Sequence, residues 1–212
     1  MAKISLSIRS EVLCIFVAGC YCGFLTSLLL PEVGRSYFNL YASDVTSFAL
    51  RLQSRLGVAG LVAAVFLRNV TPISALTFFP YVLVAYYSGP EWRNRGRGFK
   101  SLKLSLKMLS FCPILAYGFA VYGLFLGYLY AEFSAYHALR ILFSLMSHGW
   151  LEILLMLSAA STGLNLAGII EPRDDGAHPR IGFRSAFDGW RWLASGTLIA
   201  ALIEVLFYPL LV

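Results

Sequence analysis

Five stretches of this chain are apolar over about the thickness of a bilayer's hydrocarbon core, and that pattern leaves few folds open. In hydrocarbon every backbone N–H and C=O must be satisfied by the chain itself, and a spanning helix does this with about 20 mostly apolar residues. The stretches are residues 12–30, 60–87, 109–130, 147–170 and 192–212. Pro31 closes the first, while Arg68, Asn69, Pro72 and Pro80 interrupt the second. The expected fold is an all-α polytopic membrane protein, a single transmembrane domain over residues 1–212. It is a bundle of about five spanning helices with added interfacial or re-entrant helical segments.

The second stretch, counted from Gly57, is too long for one upright span. It either tilts, or kinks at Pro72, or begins with an interfacial or re-entrant piece over residues 57–67. The fourth raises the same choice over residues 136–146, where a short separate helix is one reading.

Composition agrees with burial in lipid. The 212 residues are 58% hydrophobic and 13% charged, with a mean hydropathy of +0.72. Soluble domains carry about twice that charge. The net charge of +6 is not a nucleic-acid footprint, because its Lys and Arg residues lie between apolar runs with no aromatic-interleaved basic platform. Cys14, Cys20, Cys22 and Cys112 lie in or beside apolar runs, and Cys20-Tyr21-Cys22 has the wrong spacing for a redox or zinc motif. Lys3 and Arg9 precede the first run as in a signal peptide. That run is longer than a signal core and no small-residue cleavage site follows it, so a retained signal-anchor helix is expected.

Basic residues orient the bundle. With the N-terminus inside, twelve fall on the cytoplasmic side: Lys3, Arg9, Arg93, Arg95, Arg97, Lys100, Lys103, Lys107, Arg173, Arg180, Arg184 and Arg191. Four fall outside, Arg35, Arg51, Arg55 and Arg140. The expected location is therefore the cell membrane, multi-pass, with a cytoplasmic N-terminus and an external C-terminus. Residues 93–107 gather six of the basic residues, and Phe99, Leu102 and Leu106 give residues 99–108 an apolar face. Against an anionic cytoplasmic leaflet each basic residue contributes about 1 kcal/mol, although plain positive-inside topology accounts for the same pattern. Residues 43–56 carry a helical stripe of Val45, Phe48, Ala49, Leu52 and Leu56, with Ser43 or Asp44 as a start cap and Gly57 as a stop. They read either as a helix on the outer surface or as a connector packed on the bundle.

Ionisable groups inside apolar runs are costly and are kept only with partners. Arg68, His148, Glu152 and Glu204 are such groups, with Asn69 beside the first. His148 and Glu152 share one helix face. Under the proposed orientation Glu152 lies about 7 Å into the fourth span and Glu204 roughly 18 Å along the fifth, so all four meet in the outer half of the bilayer. Arg68 can neutralise one carboxylate. The other can bond to His148, take a proton or hold a cation. Two roles fit this composition, a static clasp joining the second, fourth and fifth spans and a polar transport path.

Gly19-xxx-Gly23 and Gly123-xxx-Gly127, with the small residues Ala159, Ala160, Ser161 and Gly163, allow close helix contact inside the subunit and permit homo-oligomer contact. Tyr86, Tyr87, Trp190 and Trp192 suit an aromatic belt. There is no HExxH, GxSxG or phosphate-binding glycine loop, and His178 falls in a solvated acidic loop. No enzyme activity, cofactor or metal site is expected.

Three of these pieces resemble the stage II sporulation protein M family of integral membrane proteins. They are Ser147-His148-Gly149-Trp150-Leu151-Glu152 with the small-residue run 159–167, Phe66-Leu67-Arg68-Asn69-Val70, and Ala200-Ala201-Leu202-Ile203-Glu204 closing at Pro209. The likeness covers most of the chain from Val12 onward. It implies a non-enzymatic membrane component that partners other proteins of the cell envelope. The expected function is therefore a scaffold or coupling subunit of an envelope complex. The alternative is a small permease or channel subunit built on the same Arg/His/Glu site.

Overall fold

The computed structural model describes residues 8–87, 109–133, 135–169 and 179–207. Over these residues the protein is all-helical, with five helices long and apolar enough to cross a membrane. It is a multi-pass membrane protein.

The order is α1 (Ser10–Leu29), α2 (Pro31–Leu56), α3 (Val58–Tyr87), α4 (Cys112–Glu132), α5 (Ala135–Ile169) and α6 (Pro179–Phe207). All but α2 supply a span. The second apolar stretch is one unbroken helix of 30 residues with Pro72 and Pro80 inside it, so the re-entrant alternative does not hold. Residues 136–146 likewise form no separate helix. They belong to the 35-residue α5, which at 1.5 Å per residue is about 52 Å long and exceeds the hydrocarbon core. Its apolar window is Gly149–Leu166. The last helix starts before the expected Trp192, at Pro179, and its apolar window is Phe187–Leu206.

Contacts between named residues set the directions. Phe16 lies against Gly118, Gly23 against Phe119 and Gly123, and Ser27 against Gly127, so α1 and α4 run parallel. The two glycine motifs face each other. A Cβ placed on Gly23 would fall 2.2 Å from the Phe119 carbonyl oxygen and 2.9 Å from the Gly123 Cα, closer than any side chain allows. Within this contact α4 is π-helical over Gly118–Leu124, which widens the helix where α1 approaches. Edge-on contacts of Tyr122 with Phe16 and with Tyr117 fill the rim.

The other three spans form a second group. Gly163 of α5 lies under the Leu76 and Thr77 carbonyls, and Glu152 meets Arg68, so α3 and α5 are parallel. Gly189 meets Thr162 and Gly196 meets Leu155, so α6 is antiparallel to α5. Val12, Phe16, Ile73, Leu76, Ile114, Met156, Ala159 and Ala160 join the two groups in one buried core. Below it the Arg9 amide donates to Ser161 Oγ at 3.1 Å and Arg9 Nη1 reaches Asn165 Oδ1 at 3.5 Å, tying the start of α1 to the second half of α5.

Residues 43–56 are helical as expected, but the helix is longer and packs on the bundle. Pro31 ends α1 and also opens α2, where its missing N–H is no loss. Ser43 and Asp44 are therefore mid-helix and cap nothing, and Ser43 Oγ bonds instead to the Leu40 carbonyl. Since α1 ends and α3 begins at the same end of the bundle, α2 crosses that end. Its first turns sit on α1 and α4, with Gly34 against Ser27 and Phe38 stacked on Phe125 and Tyr128. Arg35 pairs with Glu132, and that carboxylate raises the guanidinium pKa further. The last turns fold back on α3, with Leu52 against Gly60. Gly57 makes the reversal with φ 61° and ψ −143°, a conformation that L side chains avoid.

Candidate functional site

Arg68 sits a third of the way along α3, Glu152 early in the apolar window of α5, and Glu204 near the end of α6. Opposite running directions bring these sequence-distant positions to one level, toward the end of the bundle crossed by α2.

The geometry is a three-helix clasp around one guanidinium. Arg68 Nη2 donates to Glu204 Oε2 at 3.0 Å and Oε1 at 3.3 Å, and reaches Glu152 Oε1 at 3.4 Å. Its Nε donates to the Asn69 side-chain oxygen at 3.0 Å. The Asn69 amide nitrogen in turn donates to Glu152 Oε1. Asn69 is buried, and side-chain exposures of 25%, 13% and 17% for Arg68, Glu152 and Glu204 place the charges inside the bundle. Each carboxylate thus holds an ionised or amide donor, which is the condition for keeping such groups out of water.

Of the residues that the sequence marks, Arg68, Asn69, Glu152 and Glu204 are brought together. His148 is on α5 one turn before Glu152, and its side chain lies outside the described residues. Trp150, between them in sequence, is 57% exposed on the outer face. The basic segment Arg93, Arg95, Arg97, Lys100, Lys103 and Lys107, and His178, also lie outside the described residues. No group of three or more His, Cys, Asp or Glu side chains able to hold a metal occurs among the described residues.

Two features went unmarked in the sequence. Trp190, read as an interfacial aromatic, points inward and donates its indole N–H to Ser74 Oγ at 2.8 Å. It is a second polar tie between α6 and α3. In addition, a cleft of about 360 Å³ opens between α2 and α3. Phe48, Ala49, Val65 and Leu67 give it apolar walls, while Asp44 on α2 and Arg68 on α3 give it one charge of each sign.

The clasp can do one thing without moving. It fixes the rotation of three helices, because sliding any of them by a residue breaks a charge-assisted bond in a low-dielectric interior. Comparison with protein-family models, curated proteins and solved structures gives no match to this chain.

Proposed function

We propose that the chain is a non-enzymatic membrane scaffold, a coupling subunit of a cell-envelope complex. The clasp is the observation that carries this reading. Arg68, Asn69, Glu152 and Glu204 bond to one another across α3, α5 and α6, as suits a part that holds a shape. The shape it holds presents α2, a 26-residue helix with Arg51, Gln53, Ser54 and Arg55 exposed, across one end of the bundle. That surface is the natural place for a partner to dock. The resemblance to the stage II sporulation protein M family supports the same reading; sporulation itself is no part of it.

The excess of basic residues supports a cytoplasmic N-terminus, with α2 on the outer side and residues 93–107 on the anionic cytoplasmic leaflet. Photo-crosslinkers placed at Arg51 and Gln53, with Tyr21 on the exposed face of α1 as control, test docking in native membranes. The scaffold reading expects one defined protein adduct from α2. The adduct from Gln53 is lost when Arg51 and Arg55 become Glu and kept in Glu152→Gln. Absence of any adduct from α2 would overturn it.

A permease is the second reading, and the cleft that reaches Arg68 favours it. It requires that Glu152→Gln and Glu204→Gln abolish ion or solute flux in proteoliposomes while the protein stays folded. Unchanged flux in both variants removes it.

A further inference from the structure

The two carboxyl groups of the clasp are bonded unequally. Glu204 turns both oxygens to Arg68 Nη2, at 3.0 and 3.3 Å. Glu152 turns only one. Its Oε1 takes the Arg68 N–H at 3.4 Å and the Asn69 amide N–H as well. No donor among the described residues meets its Oε2, although the side chain is only 13% exposed. The orientation of Asn69 is fixed, because Arg68 Nε can only donate and so holds the amide oxygen toward itself. The amide nitrogen is thereby left for Glu152.

An ionised carboxylate accepts hydrogen bonds at both oxygens. A protonated one accepts at its carbonyl oxygen and donates from the other. Two donors on Oε1 and none on Oε2 is the second pattern. The guanidinium agrees with it. Arg68 Nη2 carries two hydrogens, and three carboxyl oxygens lie within 3.4 Å of it. Two ionised carboxylates gathered on one nitrogen repel each other, and away from water a proton on one of them relieves the repulsion. Glu204, with both oxygens on the guanidinium, is the one suited to keep its charge.

We propose that Glu152 is the proton-binding site of the clasp, with the proton on Oε2 at neutral pH and Arg68 and Glu204 as the ion pair beside it. The other ionisable groups of the packed elements lie around this core. His148 is one turn away on α5 itself, and Asp44 of α2 lines the cleft that reaches Arg68. Arg9 and Glu11 of α1 pair with each other where α1 meets Ser161 and Asn165, and Glu132 of α4 pairs with Arg35. Loss of the proton would set a second negative charge against Nη2 and weaken the hold of α5 on α3 and α6. The assignment stands whether the chain is a scaffold or a permease.

The test reads the infrared C=O stretch of an un-ionised carboxylic acid, a band separate from those of carboxylates and amides. Spectra of the full chain and of Glu152→Gln are taken in proteoliposomes at neutral pH, where acids common to both cancel in the difference. The band should be present in the unaltered chain and lost, by one carboxyl group per chain, in the variant. Glutamine copies the protonated form, with an acceptor at Oε1 and an N–H donor in place of the hydroxyl. On titration with a denaturing detergent, Glu152→Gln should therefore keep the unfolding midpoint of the unaltered chain. Glu204→Gln, which removes the charge of the ion pair, should lower it. A difference spectrum without the acid band overturns the proposal. So does a Glu152→Gln variant that fails to fold or unfolds as early as Glu204→Gln.

Discussion

Replacing Gly23 by Ala tests the packing that joins α1 to α4. The new methyl carbon would lie 2.2 Å from the Phe119 oxygen and 2.9 Å from the Gly123 Cα. Comfortable separations between such atoms are about 3.5 Å, so the two backbones must part by about 1 Å. Neither obstacle is a side chain that can swing away, and Gly19, Gly118 and Gly127 make equally close approaches along the same contact. Gly149 is the matched control, since a Cβ there meets nothing within 4 Å among the described residues. Both substitutions carry the same intrinsic Gly-to-Ala change in a helix, so their difference isolates the steric cost. Overpacking of this kind costs about 1–3 kcal/mol. The assay is reversible unfolding in mixed micelles by titration with a denaturing detergent, followed by tryptophan fluorescence. Gly23→Ala should unfold earlier than Gly149→Ala by that margin. Equal midpoints would refute the close parallel pairing of α1 and α4.

Two further outcomes follow from local geometry. Gly57→Ala should destabilise the α2–α3 reversal by about 1–3 kcal/mol through backbone strain alone, because no atom lies within 4 Å of the added carbon; earlier hydrogen exchange in the last turns of α2 than in α5 would show it. Trp190→Phe keeps most of the ring but leaves Ser74 Oγ without its indole donor, and should cost about 1 kcal/mol in the same unfolding titration.

Much of the fold is legible in the sequence, because lipid imposes a length and a polarity that apolar runs display directly. Where the expectation falls short, the missing information is relational. The first half of α2 has Val33, Tyr37 and Leu40 at helical spacing, but Gly34, Arg35, Ser36 and Asn39 lie among them and Pro31 reads as a stop. It is held by contacts to Ser27, Phe125 and Tyr128 from elsewhere in the chain, so it cannot be read locally. Nothing in residues 118–124 marks a π-helical turn, since the widening answers a neighbour that the sequence does not show. The clasp members are legible for the opposite reason. A Glu or Arg in an apolar run must find a partner, and few candidates exist. Running directions then place Arg68, Glu152 and Glu204 together. Their bond pattern is not legible, and neither is the cleft, which exists only because α2 folds back on α3.

The central claim is that one guanidinium closes three helices. A double-mutant cycle tests it most directly, with Arg68→Gln, Glu204→Gln and the combined variant measured in one unfolding titration. The bonds between Arg68 and Glu204 predict that Arg68→Gln is the more damaging single change, because it strands two buried carboxylates. The combined variant should be less damaged than the sum of the two, with a coupling of about 1–3 kcal/mol. Effects that add within about 0.5 kcal/mol would show that the two residues do not act as one unit, and would contradict the clasp.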